Sequence, residues 1–176
     1  MSLNTAWDQF LKWNFPANNK KRKNGPGFAI CSQERESKCN LKNMMYPFIV
    51  IDDSPLDCLI VKKIISFSGK SADIVVFNDA NKALEHIRAL AINQLPPLTI
   101  ITLDIMMPIM DGFEFLEQFL TLPETVQHHF KIIILSLSNH PYTIKRLQGY
   151  SIVEAIIEKP ITIEKLNSTL AGVLRE

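Results

Sequence analysis

The sequence predicts an α/β protein with a doubly wound, five-stranded parallel sheet and helices on both faces. Two features of residues 45–176 predict this fold. Five short segments are almost continuously apolar, which is typical of strands that are buried on both faces. Each of them is followed by a segment with apolar residues at helical spacing, and this alternation is typical of right-handed strand–helix–strand units.

The first unit begins with the predicted strand FIVI at 48–51, which ends in two acidic residues. A helix is expected next, with Ser54 as its N-cap and Pro55 as its first residue. Gly69 is expected to end this helix, because glycine adopts the left-handed conformation that follows many helices. Its core-facing side is predicted to carry Leu56, Ile60, Ile64 and Phe67.

The other four units repeat the pattern. Strands are predicted at IVVF (74–77), LTIITL (98–103), KIIIL (131–135) and IVEAII (152–157). The second helix is expected to bury Ala80, Ala83, Leu84, Ile87 and Ala91. The third is expected to begin near Gly112 and to bury Phe113, Leu116 and Leu120. A short fourth helix is predicted at 142–148, and a fifth with Ile163, Leu166, Leu170 and Leu174 on one face.

The first 44 residues differ in composition from the rest. Residues 18–43 are rich in Asn, Lys, Ser, Gly and Glu and have little apolar surface to offset the entropy of ordering. Residues 1–44 are therefore predicted to be a flexible tail, and residues 45–176 to be one domain. Met44 and Met45 offer an alternative translation start, so the tail is also interpreted as an extension outside the native protein.

Charge and cysteine content exclude several classes of function. A net charge of +1 provides no overall field that would attract nucleic acid or an anionic membrane. The chain has no apolar run long enough to span a bilayer and no secretory signal at its start. Cys31, Cys39 and Cys58 lack CxxC spacing, which favours reduced thiols. A cytoplasmic protein that binds neither nucleic acid nor membrane is expected.

Polar residues follow four of the predicted strands, at the edge where open α/β sheets hold their functional sites. They are Asp52 and Asp53 after the first strand, Asp104 after the third, Ser136 after the fourth and Lys159 after the fifth. Neighbouring carboxylates repel one another unless a cation joins them, and hard oxygen ligands suit Mg²⁺. A carboxylate neutralised in this way can attack phosphorus, and Lys159 and Ser136 suit phosphoryl oxygens.

Three blocks of the sequence resemble a known family. IVIDDS, LDIMMPIMDG and IIEKP resemble, in order and in spacing, the signature blocks of the response-regulator receiver domains of two-component signal transduction. The resemblance covers about residues 45–176 and implies the flavodoxin-like strand order 2-1-3-4-5. Because only a couple of residues follow the last predicted helix, a stand-alone receiver is expected, similar to the chemotaxis receiver.

The resemblance also implies a role for each acidic residue of the site. Asp104 is expected to accept the phosphoryl group and to be a ligand of Mg²⁺, the required cofactor. Asp53 and the backbone carbonyl of Met106 are expected to be further ligands of the metal. Asp52 is expected to act largely through metal-bound water.

The other implied roles concern the phosphoryl group and the partners. Ser136 and Lys159 are expected to contact the phosphoryl group, and the bond from Lys159 to Pro160 is expected to be cis.

The phosphodonor is expected to be a sensor histidine kinase or a histidine phosphotransfer protein. Phosphorylation is expected to switch a protein-binding face. The protein would then be a signalling phospho-acceptor that promotes only its own phosphorylation and dephosphorylation. Ile156 stands where many relatives have the aromatic residue of this switch.

Two alternatives remain open at this point. The main one is a receiver-like protein-binding module that is not phosphorylated, although the complete set of acids, hydroxyl and lysine disfavours it. The other is a haloacid-dehalogenase-type phosphatase. It is less favoured, because that family has a DxDx[TV] block after the first strand and this chain has DDSP at 52–55.

Overall fold

The computed structural model describes residues 45–93, 98–137 and 140–174, without the side chains of residues 91–93. Its strands are β1 (Tyr46–Ile51), β2 (Ser71–Phe77), β3 (Thr99–Asp104), β4 (Phe130–Ser136) and β5 (Val153–Glu158). Its helices are α1 (Pro55–Ser68), α2 (Ala80–Asn93), α3 (Gly112–Phe119), α4 (Glu124–Gln127), α5 (Pro141–Leu147) and α6 (Ile163–Val173). The predicted tail at 1–44, with Cys31 and Cys39, lies outside the described residues.

The five strands form one parallel sheet in the order β2-β1-β3-β4-β5, which confirms the predicted fold. The strand register aligns the residues that follow the strands. Ile51 pairs with Leu103, so Asp52 and Asp104 occupy equivalent positions on neighbouring strands. Likewise, Ser136 pairs with Glu158, the residue before Lys159. Four of the predicted site residues are thus brought to one edge of the sheet by the register.

Each face of the sheet has its own apolar layer. One layer contains Ile49, Ile51, Ile101 and Leu103 with the buried side chains of α2 and α3. The opposite layer contains Phe48, Val50, Ile100 and Ile133 with those of α1 and α6. The alternation of side chains along each strand explains why nearly every strand residue is apolar. The two layers make the sheet a rigid base for the loops at its edge.

The ends of α1 were predicted correctly, but its buried face was not. The Ser54 side chain accepts a hydrogen bond from Asp57 N–H, Pro55 is the first residue, and Gly69 ends the helix with φ 67°. The residues that are buried are Cys58, Val61 and Ile65. Of the predicted residues, Ile64 is half-buried, and the exposed ones are Leu56, Ile60 and Phe67. Apolar residues occupy most of the circumference of this helix, so their spacing alone did not determine which side faces the sheet.

Smaller differences occur at α3 and α4. Leu120 is partly exposed because α3 ends at Phe119, and Phe115 and Phe119 are buried in addition to the predicted residues. The short helix α4 was not predicted, since four residues are too few to show a helical period. In the described part of the chain, no helix is both long and apolar enough to cross a membrane.

Candidate functional site

An acidic cluster lies at the carboxyl ends of β1 and β3. One carboxylate oxygen from each of Asp52, Asp53 and Asp104 lies within 4.8 Å of the other two. Asp52 and Asp104 are buried, and Asp53 is exposed. Burial raises the pKa of the Asp52 carboxyl, although the hydrogen bond from Lys159 acts in the opposite direction. Among the described residues, this is the only group of His, Cys, Asp and Glu side chains with the spacing of a metal site.

The ammonium of Lys159 joins this cluster from the end of β5. Its Nζ lies 2.7 Å from Asp52 Oδ2, 3.2 Å from Asp104 Oδ1 and 3.3 Å from Asp57 Oδ2, and only 9% of its side chain is exposed. Burial alone lowers the pKa of Lys159. The hydrogen bond with Asp52 and the charges of Asp104 and Asp52 outweigh that effect, so its pKa lies above the ordinary value. The lysine therefore stays charged at neutral pH and balances part of the acidic charge.

The backbone fixes Lys159 relative to β4. Its N–H donates a 2.8 Å hydrogen bond to the carbonyl of Ser136, the last residue of that strand. The bond to Pro160 is cis, as the resemblance implied. The Lys165 ammonium donates to the carbonyls of Glu158 and Pro160, which ties the turn to α6. Ser136 itself is buried. The backbone hydrogen bond places the two predicted residues at the ends of neighbouring strands.

The protein engages both carboxylate oxygens of Asp52. Oδ1 accepts a 2.9 Å hydrogen bond from Ser54 N–H, and Oδ2 accepts one from Lys159. The backbone carbonyl of Asp52 accepts from the amide of Asn78 and from the thiol of Cys58. Burial and the charge of Asp52 raise the pKa of Cys58 to about 11, so this cysteine stays a neutral thiol. These contacts make Asp52 the most firmly held carboxylate of the cluster.

The carboxylate of Asp104 is held less completely. Its Oδ1 is buried and accepts no hydrogen bond from the described residues, although it lies near the Lys159 ammonium. A buried carboxylate oxygen without a hydrogen bond is unfavourable unless a cation or another donor approaches it. Together with the acidic neighbours, this oxygen fits a site for a hard divalent cation.

The loop after β3 begins at Asp104 and ends at α3. Asp111 caps α3, and a reciprocal hydrogen-bonded pair with Glu114 completes a capping box. Gly112 N–H donates to the carbonyl of Ile105 at 3.0 Å, which folds the loop tightly onto the strand end. Ile109 has φ 70°, an unfavourable conformation for a β-branched residue, and its side chain is 93% exposed. Met106 is also exposed.

Asp57 and Asn78 take part in the site but were not predicted from the sequence. Asp57 lies in the first turn of α1 and contacts Lys159, and Asn78 follows β2 and supports Asp52. A polar residue directly after β2 is the signal by which Asn78 could have been found. Asp57 has the ordinary sequence position of an acid in a helix first turn, so only the structure reveals its contact.

Comparisons with known proteins identify the family. A family model described as the response regulator receiver domain matches residues 48–171. The chain therefore belongs to the response-regulator receiver domain family. Domains of this family are signalling phospho-acceptors of two-component systems and not classical enzymes.

Several solved structures are similar to this chain. The chain is similar to a response regulator receiver protein from Dyadobacter fermentans, with 28% identity over 74% of this chain and 99% of that chain and a TM-score of 0.67. It shares its fold with a two-component response regulator from Cytophaga hutchinsonii (24% identity, 76% and 99% covered, TM-score 0.68). It also shares its fold with the chemotaxis response regulator CheY4 of Vibrio cholerae. The identity is 23%, the match covers 74% of this chain and 99% of that chain, and the TM-score is 0.59. No curated protein matched the sequence.

Proposed function

We propose that residues 45–176 form a response-regulator receiver domain that accepts a phosphoryl group on Asp104 from a phosphohistidine donor. The observation that carries this proposal is the state of the Asp104 carboxylate. It is buried, one of its oxygens accepts no hydrogen bond from the described residues, and that oxygen lies 3.2 Å from the Lys159 ammonium. Burial limits the solvation of this carboxylate, and the adjacent ammonium can balance the negative charge of the incoming phosphoryl oxygens.

Mg²⁺ is the proposed cofactor, held by the carboxylates of Asp53 and Asp104 and by the backbone carbonyl of Met106. Asp52 would act through water, which fits the engagement of both its oxygens by Ser54 N–H and Lys159. When bound, Mg²⁺ supplies positive charge that offsets the repulsion between the carboxylates and the incoming phosphoryl oxygens.

The chain's own residues perform the other parts of the transfer. A carboxylate oxygen of Asp104 forms a bond to phosphorus, and the bond from phosphorus to the histidine nitrogen of the donor breaks, with its electrons returning to the imidazole. The Lys159 ammonium and the Ser136 hydroxyl stabilise the phosphoryl oxygens. Lys159 can do so because Asp52 and the Ser136 carbonyl hold it beside the acceptor.

Labelling by a small phosphodonor tests this proposal. Incubation with acetyl phosphate and Mg²⁺ is expected to add one phosphoryl group, read by intact mass, and chelation of the metal is expected to prevent it. The reason is that the acidic cluster repels an anionic donor unless a cation is bound. A chain that stays unlabelled with Mg²⁺ under these conditions would support the alternative of a protein-binding module without phosphorylation.

The exposed apolar side of α1 is the proposed docking surface for a histidine kinase or histidine phosphotransfer protein. Leu56, Leu59, Ile60 and Phe67 are between 42% and 72% exposed. At helical spacing they form one stripe, and the first turn of the same helix contacts Lys159 through Asp57. A protein donor must place its phosphohistidine at Asp104, so a surface that begins at the site is well placed to bind it.

Substitution of Leu59 by Asp is expected to slow transfer from a phosphorylated histidine phosphotransfer protein about tenfold or more. The reason is that an apolar side chain that the docked partner would bury is replaced by a charge. The measurement is the ratio of two rates for each variant: phosphoryl transfer from a protein donor that labels the wild type, and labelling by acetyl phosphate. Acetyl phosphate serves as the reference because it needs no protein surface. Tyr142→Asp, at an exposed aromatic residue on α5, is the control for introducing a charge on another helix. Equal losses in both variants would rule out α1 as the docking surface.

Phosphorylation is proposed to switch a protein-binding face at α5, β5 and α6. Ile156 is half-buried and packs against the apolar layer that contains the α2 and α3 side chains. An isoleucine has no polar tip with which to exchange hydrogen-bond partners. The helix α5 is instead attached to α3 through Arg146, which lies 3.8 Å above the Phe113 ring and contacts Glu117. A movement of Ser136 toward the phosphoryl group is proposed to shift α5, the next described helix in the chain.

A further inference from the structure

Asp57 contacts Lys159 although it is not one of the residues expected at the site. It is the third residue of α1, and its carboxylate Oδ2 lies 3.3 Å from the lysine Nζ. An acid here usually stabilises the helix start, either through the helix dipole or by accepting the N-cap N–H. That second role is already filled, because Ser54 N–H donates to Asp52. The Asp57 side chain is therefore directed to the lysine instead.

The hydrogen bonds of the Lys159 ammonium are not distributed evenly over its three carboxylate neighbours. It donates to Asp52 at 2.7 Å and to Asp57 at 3.3 Å. Asp104 Oδ1 lies at 3.2 Å, within ion-pair distance, but outside good hydrogen-bond geometry. Two of the three ammonium protons are thus directed to Asp52 and Asp57, and the ion pair with Asp104 lacks hydrogen-bond geometry.

We propose that Asp57 is a positioning residue that holds Lys159 in a resting orientation and must release it when the phosphoryl group arrives. This inference rests on the proposed function, since it assigns Lys159 a new partner on the phosphoryl group. The contact with Asp57 exists before the reaction and is lost during it. An interaction of this kind stabilises the ground state relative to the transition state and slows the step.

Asp57, and not Asp52, is the partner that is released. The contact with Asp52 is shorter, and the Asp52 side chain is 1% exposed, so loss of that contact would leave a buried charge without its partner. The Asp57 side chain is 38% exposed. It lines a groove of about 260 Å³ together with Ile60, Leu137 and Pro160. Water can therefore solvate the Asp57 carboxylate once the lysine has moved.

Substitution of Asp57 tests the inference directly. Asp57→Ala is expected to raise the rate of labelling by acetyl phosphate in saturating Mg²⁺ by up to about fivefold, the range for release of a partly exposed ion pair. Asp57→Asn should have a smaller effect, since its amide oxygen still accepts a hydrogen bond from Lys159. Glu164→Ala is the control for loss of a carboxylate, because Glu164 is an acid in the first turn of α6 whose side chain interacts with Thr162. Its rate should equal that of the wild type.

A second measurement shows whether the effect acts through Lys159. Beryllofluoride mimics the phosphoryl group, and its affinity in Mg²⁺ can be followed by amide chemical shifts. Asp57→Ala should raise this affinity by a similar factor in the wild-type background and leave it unchanged when Lys159 is replaced by Met. The inference would be overturned if Asp57→Ala raised the beryllofluoride affinity equally in both backgrounds. It would also be overturned if Asp57→Ala were labelled no faster than the wild type, or if Glu164→Ala were labelled as fast as Asp57→Ala. Absence of labelling in every variant, the wild type included, would instead remove the proposed function and this inference with it.

Discussion

Asp104→Asn is expected to abolish Mg²⁺-dependent phosphorylation of this protein. The amide has nearly the shape of the carboxylate, so the fold of the strand end is retained. Its oxygen, however, is neutral and is not an adequate nucleophile toward phosphorus. Of the three clustered acids, Asp52 has both oxygens engaged by protein donors and Asp53 is exposed. Only Asp104 combines burial, a carboxylate oxygen without a hydrogen bond and proximity to Lys159.

A matched control separates loss of the acceptor from loss of any nearby acid. Asp79 lies beyond the end of β2, at the same edge of the sheet, and its carboxylate accepts a hydrogen bond from Asn81 N–H at the start of α2. Asparagine can form the same cap, so Asp79→Asn should fold and should be labelled like the wild type. Intact mass and peptide mapping after acetyl phosphate treatment give the result. Full labelling of Asp104→Asn at another carboxylate would refute the assignment of the acceptor.

The site could be predicted largely from the sequence because of the sheet itself. In a parallel sheet the residues that follow the strands meet at one edge, so Asp52, Asp104 and Lys159 could be brought together before any distance was known. Their contacts in the structure follow from the register of β1, β3, β4 and β5. The prediction required only the strands and the residue after each one.

Features that depend on helix rotation could not be predicted in the same way. The face of α1 that packs on the sheet depends on which of its many apolar residues fit the opposite layer, and the prediction selected Leu56 and Phe67, which are exposed. The same rotation brings Asp57 to Lys159. A sequence pattern records the spacing of residues around a helix, but the angle about the helix axis is decided by packing against the sheet.

Gly112 connects the acceptor to the packing of α3, so its substitution should have a second large effect. A Cβ atom at this residue would lie 2.7 Å from the carbonyl oxygen of Asp104 and 2.8 Å from the Cα of Ile105. Both of these atoms belong to the backbone, so no side-chain rotation can relieve the overlap. The N–H of Gly112 also donates to the Ile105 carbonyl, which holds the two segments at this distance. An added methyl group must therefore displace the acceptor strand end or α3.

Gly112→Ala is expected to lower the free energy of unfolding by about 1–3 kcal/mol, the usual cost of overpacking at a buried position. It should also slow labelling of Asp104 by about a hundredfold, since a shift of about 1 Å at a reacting group has an effect of this size. Gly172→Ala is the control, because a Cβ there meets nothing within 4 Å and alanine favours the helix. Denaturant unfolding and the acetyl phosphate rate measure the two effects. If Gly112→Ala were labelled at the wild-type rate, the close contact with the Asp104 carbonyl would not determine the position of the acceptor.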